Sequence, residues 1–147
     1  MAVTAKWYAN GVKHVASHDI DWVNDTIKVS AHSSSYTPNQ STDEFFSTVT
    51  NELSTANGYT SGGQALGTKS IALSGLVTAL KAAATTWTPS AGQTLTIRYL
   101  VIRKDTGSAA TSPVLGYVDL GADTSATGAN WTATWDSTDG VLKQTAL

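Results

Sequence analysis

The feature that most constrains the fold of this chain is a series of segments in which apolar and polar side chains alternate. The clearest segment runs over residues 94–103. One of its faces comprises Leu95, Ile97, Tyr99 and Val101. A period of two is typical of β-strands, because successive side chains point to opposite sides of a sheet. The opposite face is also partly apolar, which favours a central position in the sheet over an edge position.

Four shorter segments are also predicted to be strands, at residues 26–31, 114–120, 131–135 and 141–146. A turn ending at Gly140 predicts that the last of these strands returns as the partner of the one before it. Residues 69–74 and 77–88 are predicted to form two more strands, hinged at Gly75. The leucine and alanine spacing there also fits a helical stripe, so strand and helix both remain open over 69–88.

Helical structure is expected only in short pieces, over residues 9–17 and 43–50. Proline, glycine, asparagine and serine separate the predicted strands at short intervals. Several short strands with regular turns are typical of sandwiches and jelly rolls. We therefore predict an all-β fold: an antiparallel β-sandwich or jelly-roll-like domain, with one or two short helical turns, that spans residues 1–147 as a single domain.

Composition excludes several classes of site and partner. The chain has no cysteine, so it can form no disulfide, thiolate zinc site or thiol nucleophile. Only 14% of the residues are charged, the formal net charge is −2, and no basic patch is visible. We therefore expect no nucleic-acid partner. No apolar run approaches the length of a membrane span, and the N-terminal residues do not resemble a signal peptide, so we expect no membrane association.

Histidines and nearby acids are the first candidates for a metal or catalytic site. His14 and His18 would share a face of a helix, and Asp19 and Asp21 follow closely. The stretch lacks the glutamate of a zinc-protease motif, so an exposed polar turn is the favoured interpretation. His32 stands in a serine-rich segment and has no evident partner.

Three other segments resemble binding loops but differ from them in spacing. Residues 62–70 lack a lysine directly after the second motif glycine of a phosphate loop, and are interpreted as a flexible loop between strands. Residues 136–140 place their glycine one position too early for a calcium loop. Asp119 and Asp123 are interpreted as parts of a capped turn around Gly121. No catalytic constellation is visible, so we expect no enzymatic activity, no cofactor and no metal site.

Tryptophan is frequent for a chain of this size. The five tryptophans are Trp7, Trp22, Trp87, Trp131 and Trp135. The last two share a face of a predicted strand, where exposed rings could form a sugar-stacking platform. Aromatic rings on sheets more often pack in the core, because each removes a large apolar area from water. Core packing is therefore the favoured interpretation.

The whole chain resembles, in order and over nearly its full length, a family of small structural proteins from tailed-bacteriophage particles. The residues that carry the resemblance are Ala5-Lys6-Trp7-Tyr8, Ile20-Asp21-Trp22, Thr26-Ile27-Lys28-Val29, Ser35-Tyr36-Thr37-Pro38, Val49-Thr50-Asn51-Glu52, Gly58-Tyr59-Thr60-Ser61-Gly62-Gly63, Lys104-Asp105-Thr106-Gly107, Leu115-Gly116-Tyr117-Val118-Asp119-Leu120-Gly121 and Trp135-Asp136. None of these motifs is the signature of a reaction. The resemblance implies a virion component that is assembled in the host cytoplasm.

Three functions follow as expectations. The first is a capsid decoration (cement) protein, with the major capsid protein or other virion proteins as partners, and with homo-oligomers such as a trimer. The second is a tail, tail-tip or head–tail connecting component. The third is a carbohydrate-binding module for host attachment, which requires an exposed row of aromatic rings.

Overall fold

The computed structural model describes residues 2–146, which contain eleven strands, one α-helix and two 3-10 turns. The strands are β1 (Ala2–Val3), β2 (Lys6–Trp7), β3 (Ile27–His32), β4 (Gln64–Ala65), β5 (Ser70–Ser74), β6 (Val77–Lys81), β7 (Thr85–Trp87), β8 (Thr94–Lys104), β9 (Val114–Thr127), β10 (Trp131–Trp135) and β11 (Leu142–Thr145). The helix α1 is Ala9–Ala16, and the 3-10 turns are Phe46–Thr48 and Ala109–Thr111. Both predicted helical segments are confirmed in these short pieces.

The strands form three sheets that share one apolar core. The largest sheet has the order β2-β9-β8-β3-β4 and is antiparallel throughout. A second, antiparallel sheet has the order β11-β6-β5. The third has the order β1-β10-β7, in which β1 and β10 run parallel. Side chains from all three sheets meet in the main core, so the predicted all-β, sandwich-like fold class is confirmed.

Strand β8 lies between β9 and β3 in the centre of the large sheet, as its two apolar faces predicted. The predicted division of those faces is wrong, because the pairing of β8 with β9 shifts register between Ile97 and Tyr99. Ile97 and Leu100 both point into the main core, whereas Tyr99 and Val101 belong to the opposite face. A β-bulge moves every later side chain of a strand to the other side in this way.

The opposite face of the large sheet carries a smaller core. Tyr8, Tyr36 and Val49 pack there against Val101 and Val114 of the sheet. The first three residues come from the start of α1 and from the long segment between β3 and β4. Both faces of the central strands are therefore covered, which explains why their sequences are apolar on both sides.

The ambiguous region 69–88 is β-structure. Strands β5 and β6 form a hairpin through a two-residue turn at Gly75 and Leu76, and Gly75 has a φ of +58°. The predicted hinge at Gly75 is thus confirmed, but the second predicted strand is divided. The Lys81 carbonyl accepts from the Trp22 indole at 3.1 Å, and the chain then crosses to the third sheet as β7.

The predicted partner of the last strand is wrong. Strand β10 is flanked by β1 and β7, and β11 pairs with β6 in another sheet. Gly140, with a φ of +68°, turns the chain so closely over β6 that a Cβ atom there would lie 2.5 Å from the Leu80 carbonyl oxygen. The next amide, that of Val141, donates to this same oxygen at 2.7 Å. Within residues 2–146, no helix is both long enough and apolar enough to cross a membrane.

Candidate interaction surface

The histidines of the first candidate site do not come together. Helix α1 ends at Ala16, and His18 is exposed with a φ of +64°. His14 is buried, which makes the exposed-turn interpretation wrong for this residue. Its Nδ1 lies 2.9 Å from a carboxylate oxygen of Asp19, and its Nε2 lies 3.1 Å from one of Glu44. The His14 imidazole therefore connects α1 to the segment around residue 44. The hydrogen bond between His14 and the Asp19 carboxylate lowers the pKa of Asp19.

His32 has partners that its sequence context conceals. The ring is completely buried, its Nδ1 donates to the Thr50 carbonyl at 2.9 Å, and its Nε2 accepts from the Ser30 hydroxyl at 2.9 Å. This arrangement satisfies both nitrogens of a neutral imidazole. Ser30 and His32 are two residues apart on one strand, so period-two reasoning would have placed them on the same face.

His32 leads to a prediction about acid sensitivity. Burial lowers the pKa of His32, whereas in the unfolded chain the group takes up a proton near pH 6.5. The unfolded state therefore binds more protons below that pH, and stability falls as the pH drops, by at most about 1.4 kcal/mol per pH unit for one group. We expect His32→Asn to flatten this decline in urea unfolding between pH 7 and pH 5, roughly the window of the shift.

The exposed His18 supplies the control for that measurement. His18→Asn should leave the decline below pH 6.5 as steep as in the unaltered protein, because the His18 side chain is exposed in the folded chain. An equal decline in the His32→Asn variant would show that other groups cause the acid sensitivity.

Arg103 is a buried cation that the sequence reasoning did not single out. Its side chain is 3% exposed, and its guanidinium carbon lies 3.7 Å from the centroid of the Phe46 ring. Its Nη2 donates to the Gly62 carbonyl at 2.6 Å, while the Gly62 amide donates to Glu52 at 2.6 Å. Gly62 is thus held on both sides and is followed by strand β4, so the flexible-loop interpretation of this segment is replaced by an ordered one.

Two of the remaining acidic candidates accept hydrogen bonds from nearby backbone amides. A carboxylate oxygen of Asp119 accepts from the Gly121 amide at 2.8 Å and from Arg98 at 2.9 Å. Strand β9 continues through Gly121 to Thr127, so the predicted turn at a strand end is wrong, and the stretch is an irregularity within the strand. Asp136 accepts from the amides of Thr138 and Asp139 at 2.8 and 2.7 Å. Among residues 2–146, no three His, Asp or Glu side chains are grouped so that they could hold a metal ion.

The tryptophans pack as the favoured interpretation predicted. Four of them are buried in the main core: Trp22, Trp87, Trp131 and Trp135. Trp7 is half-buried, and its indole N–H donates to the Lys143 carbonyl at 2.6 Å. Trp131 and Trp135 therefore offer no exposed stacking platform.

The β5–β6 hairpin carries an exposed apolar surface. Ile71, Leu73 and Leu76 are 55%, 75% and 68% exposed, and we call these three residues the apolar edge. No residue from 70 to 80 is charged. Exposed apolar patches of this kind mark interaction sites on soluble proteins more often than isolated exposed residues do.

Strand β5 is also a free sheet edge, since β6 is its only neighbour within residues 2–146. Ser74 and Val77 flank the two-residue turn and form a hydrogen-bonded pair, and such pairs alternate along an antiparallel ladder. The peptide groups of Ile71 and Leu73 therefore point away from β6. The residues that expose apolar side chains also expose N–H and C=O groups, so this edge is suited to pairing with another strand.

An apolar groove continues from the base of this hairpin. It has a volume of about 310 Å³ and lies between the end of α1 and strands β5 and β6. Its apolar lining residues are Val15, Ile20, Trp22, Ile71 and Leu80. Ile71 belongs both to the groove and to the apolar edge, so the two form one surface.

Sequence reasoning named no interface. The available signal was the uncharged stretch 70–80, in which leucines stand on either side of Gly75. Comparisons with protein-family models, with curated proteins and with solved structures found no match to this chain.

Proposed function

We propose that this chain is a structural protein of a tailed-phage virion, and that it acts as a capsid decoration protein. The observation that carries the proposal is the apolar edge, where uncharged side chains and unpaired peptide groups are exposed together. A surface of this kind favours contact with other protein chains. The resemblance to phage structural proteins supplies the particle in which those contacts would form.

A decoration protein acts through its binding free energy. A protein that binds the assembled shell, but not its free subunits, stabilises the assembled state by mass action. At a free concentration one hundred times the dissociation constant, this amounts to about 2.7 kcal/mol for each site. Many modest contacts at symmetric positions add up to a large effect, and no reaction centre is needed.

The polar surface of the large sheet suits the same role. On the outer face of β8 and β9, the hydroxyls of Thr94 and Thr127 lie 2.8 Å apart, and those of Thr96 and Ser125 lie 2.7 Å apart. Because these hydroxyls pair within the chain, they form a polar sheet surface of low charge. Polar and weakly charged surfaces of this kind are usual around the apolar centre of protein interfaces.

The carbohydrate-binding alternative has less support. It requires exposed aromatic rings, whereas Trp131 and Trp135 pack in the main core. A tail or head–tail component would use the same kind of contact surface, and copy number separates it from a decoration protein.

A charge on the apolar edge is expected to weaken attachment to particles. We expect Leu73→Lys to lower the number of copies bound by purified particles about tenfold or more, because burial of one leucine contributes about 1.5–3 kcal/mol. The measurement titrates particles that lack the protein with purified chain and counts the bound copies by quantitative mass spectrometry.

Thr37→Lys is the matched control, since Thr37 is exposed in the loop after β3, outside the apolar edge. This variant should bind like the unaltered protein. Absence of the unaltered protein from virions would refute the proposal as a whole. A few copies at one vertex or along the tail would replace the decoration role by the tail role.

A further inference from the structure

The sequence of strand β5 reads almost the same in both directions. Its residues are Ser70, Ile71, Ala72, Leu73 and Ser74. An antiparallel pair of two such strands, centred on Ala72, would place each Ile71 opposite Leu73 of the second copy. The serines at the ends would face each other in the same way. We propose that the apolar edge pairs with the apolar edge of a second copy of this chain across a two-fold axis.

The backbone of β5 fits this pairing in register as well as in sequence. The outward peptide groups are those of Ile71 and Leu73, and the proposed pairing opposes these two residues. They would form the hydrogen-bonded pairs, in which opposite residues exchange both N–H···O bonds, and the Ala72 pair would be the non-hydrogen-bonded one. The result is a continuous six-stranded sheet with the order β11-β6-β5-β5-β6-β11.

The side chains complete the fit. Residues directly opposite each other in an antiparallel pair lie on the same face of the sheet. Ile71 and Leu73 of both copies would therefore form one cluster of four apolar side chains, which are 55% and 75% exposed in the single chain. The pairing covers the side chains and the peptide groups that the free edge leaves exposed.

Charge does not oppose the pairing. No charged residue lies in 70–80, so no like charges are brought together along the paired strands. The flanking cations are turned toward their own chain: Lys69 donates to the Asp25 carbonyl, and Lys81 donates to the Ser137 carbonyl at 2.7 Å. Free edges are commonly protected by lysine, proline or a bulge. Strand β5 has none of these. Because its edge is self-complementary, it can pair with the same edge of a second copy.

An edge of five residues is a small contact, so the dimer in dilute solution should be weak and dependent on concentration. Copies held side by side on a surface would pair more readily, because their effective concentration is high. The proposed function offers such a surface, but the pairing itself is a property of the isolated chain. Failure of the phage assignment would therefore leave this inference standing, and the reverse also holds.

Cysteine cross-linking tests the register directly, because the native chain contains no cysteine. Ala72→Cys would face its own copy in a non-hydrogen-bonded pair, whose Cα atoms are about 4.5 Å apart, and a disulfide fits that separation. Ser70→Cys is the matched control on the same strand. Its two copies would lie roughly 13 Å apart, a distance of four residues along the strand.

We expect mild oxidation to convert Ala72→Cys mainly to a covalent dimer and to leave Ser70→Cys mainly monomeric. Sedimentation equilibrium of the unaltered chain should show a mass that rises toward twice the monomer mass with concentration. Leu73→Lys, at an exposed position outside the core, should weaken this association about tenfold or more. Equal cross-linking of the two cysteine variants, or a monomeric mass up to the millimolar range, would overturn the proposal.

Discussion

Replacing Gly63 by alanine is expected to lower the free energy of unfolding by about 2–5 kcal/mol, the sum of a backbone cost and an overpacking cost. Gly63 has a φ of +73°, in the left-handed region that side chains with a Cβ atom rarely adopt. A Cβ atom there would overlap the Val29 carbonyl oxygen and lie 2.7 Å from its carbonyl carbon. Val29 belongs to a buried strand that is paired on both sides, so its backbone cannot move away.

Gly62 provides the control for this measurement. Its φ is +96°, but a Cβ atom at this position would meet no other atom within 4 Å. Gly62→Ala should therefore carry only the backbone cost, about 1–2 kcal/mol. Urea unfolding of both variants separates the two contributions. An equal loss in both would show that the contact between Gly63 and β3 has no energetic weight.

The contrast between these two glycines also shows what sequence reasoning could reach. Gly62 and Gly63 begin a segment that was predicted from the sequence to be a loop between strands, as glycine pairs usually indicate. Nothing in the sequence reveals that only the second glycine lies against the backbone of β3, because that contact joins segments more than thirty residues apart. Turn chemistry is local and visible in the sequence, whereas close approach is a property of the assembled fold.

The same division separates the correct from the incorrect strand predictions. Alternation identified β8 and its central position, since both depend on the side chains of that segment alone. It assigned Tyr99 to the wrong face, because the register shift next to Arg98 arises from the pairing with β9. It also gave β11 the wrong neighbour. Strands adjacent in sequence often pair, but here the turn at Gly140 directs the chain to β6.

The interaction surface lay beyond sequence reasoning for a related reason. Leu73, Leu76 and Leu80 look equivalent in the sequence, and together they resemble the apolar stripe of a helix. In the hairpin, Leu80 enters the main core, whereas Leu73 and Leu76 remain exposed. The difference depends on how far the main core extends beneath the hairpin: it reaches Leu80 but not Leu73 or Leu76. That extent is defined by the fold and not by the local sequence.

Replacing Trp87 by alanine is expected to cost about 3–5 kcal/mol, the usual range for removal of a large buried aromatic side chain. Trp87 lies on β7, and its ring centroid is 5.8 Å from that of Tyr59 and 5.8 Å from that of Trp131. These rings pack in the main core together with Leu95 and Ile97 of the large sheet. Small domains have only about 5–15 kcal/mol of stability in total, so the loss would be a large share of it.

Trp7→Ala is the control that separates the packing of Trp87 in the main core from the general effect of removing a tryptophan. Trp7 is half-buried, and its removal costs one hydrogen bond and partial packing, about 1–2 kcal/mol. Chemical unfolding of the two variants should therefore show the larger loss at Trp87. The apolar edge lies on a different sheet, so the Ala72→Cys cross-link should still form while the Trp87→Ala chain is folded. A smaller loss at Trp87 than at Trp7 would mean that the aromatic core does not hold the sheets together.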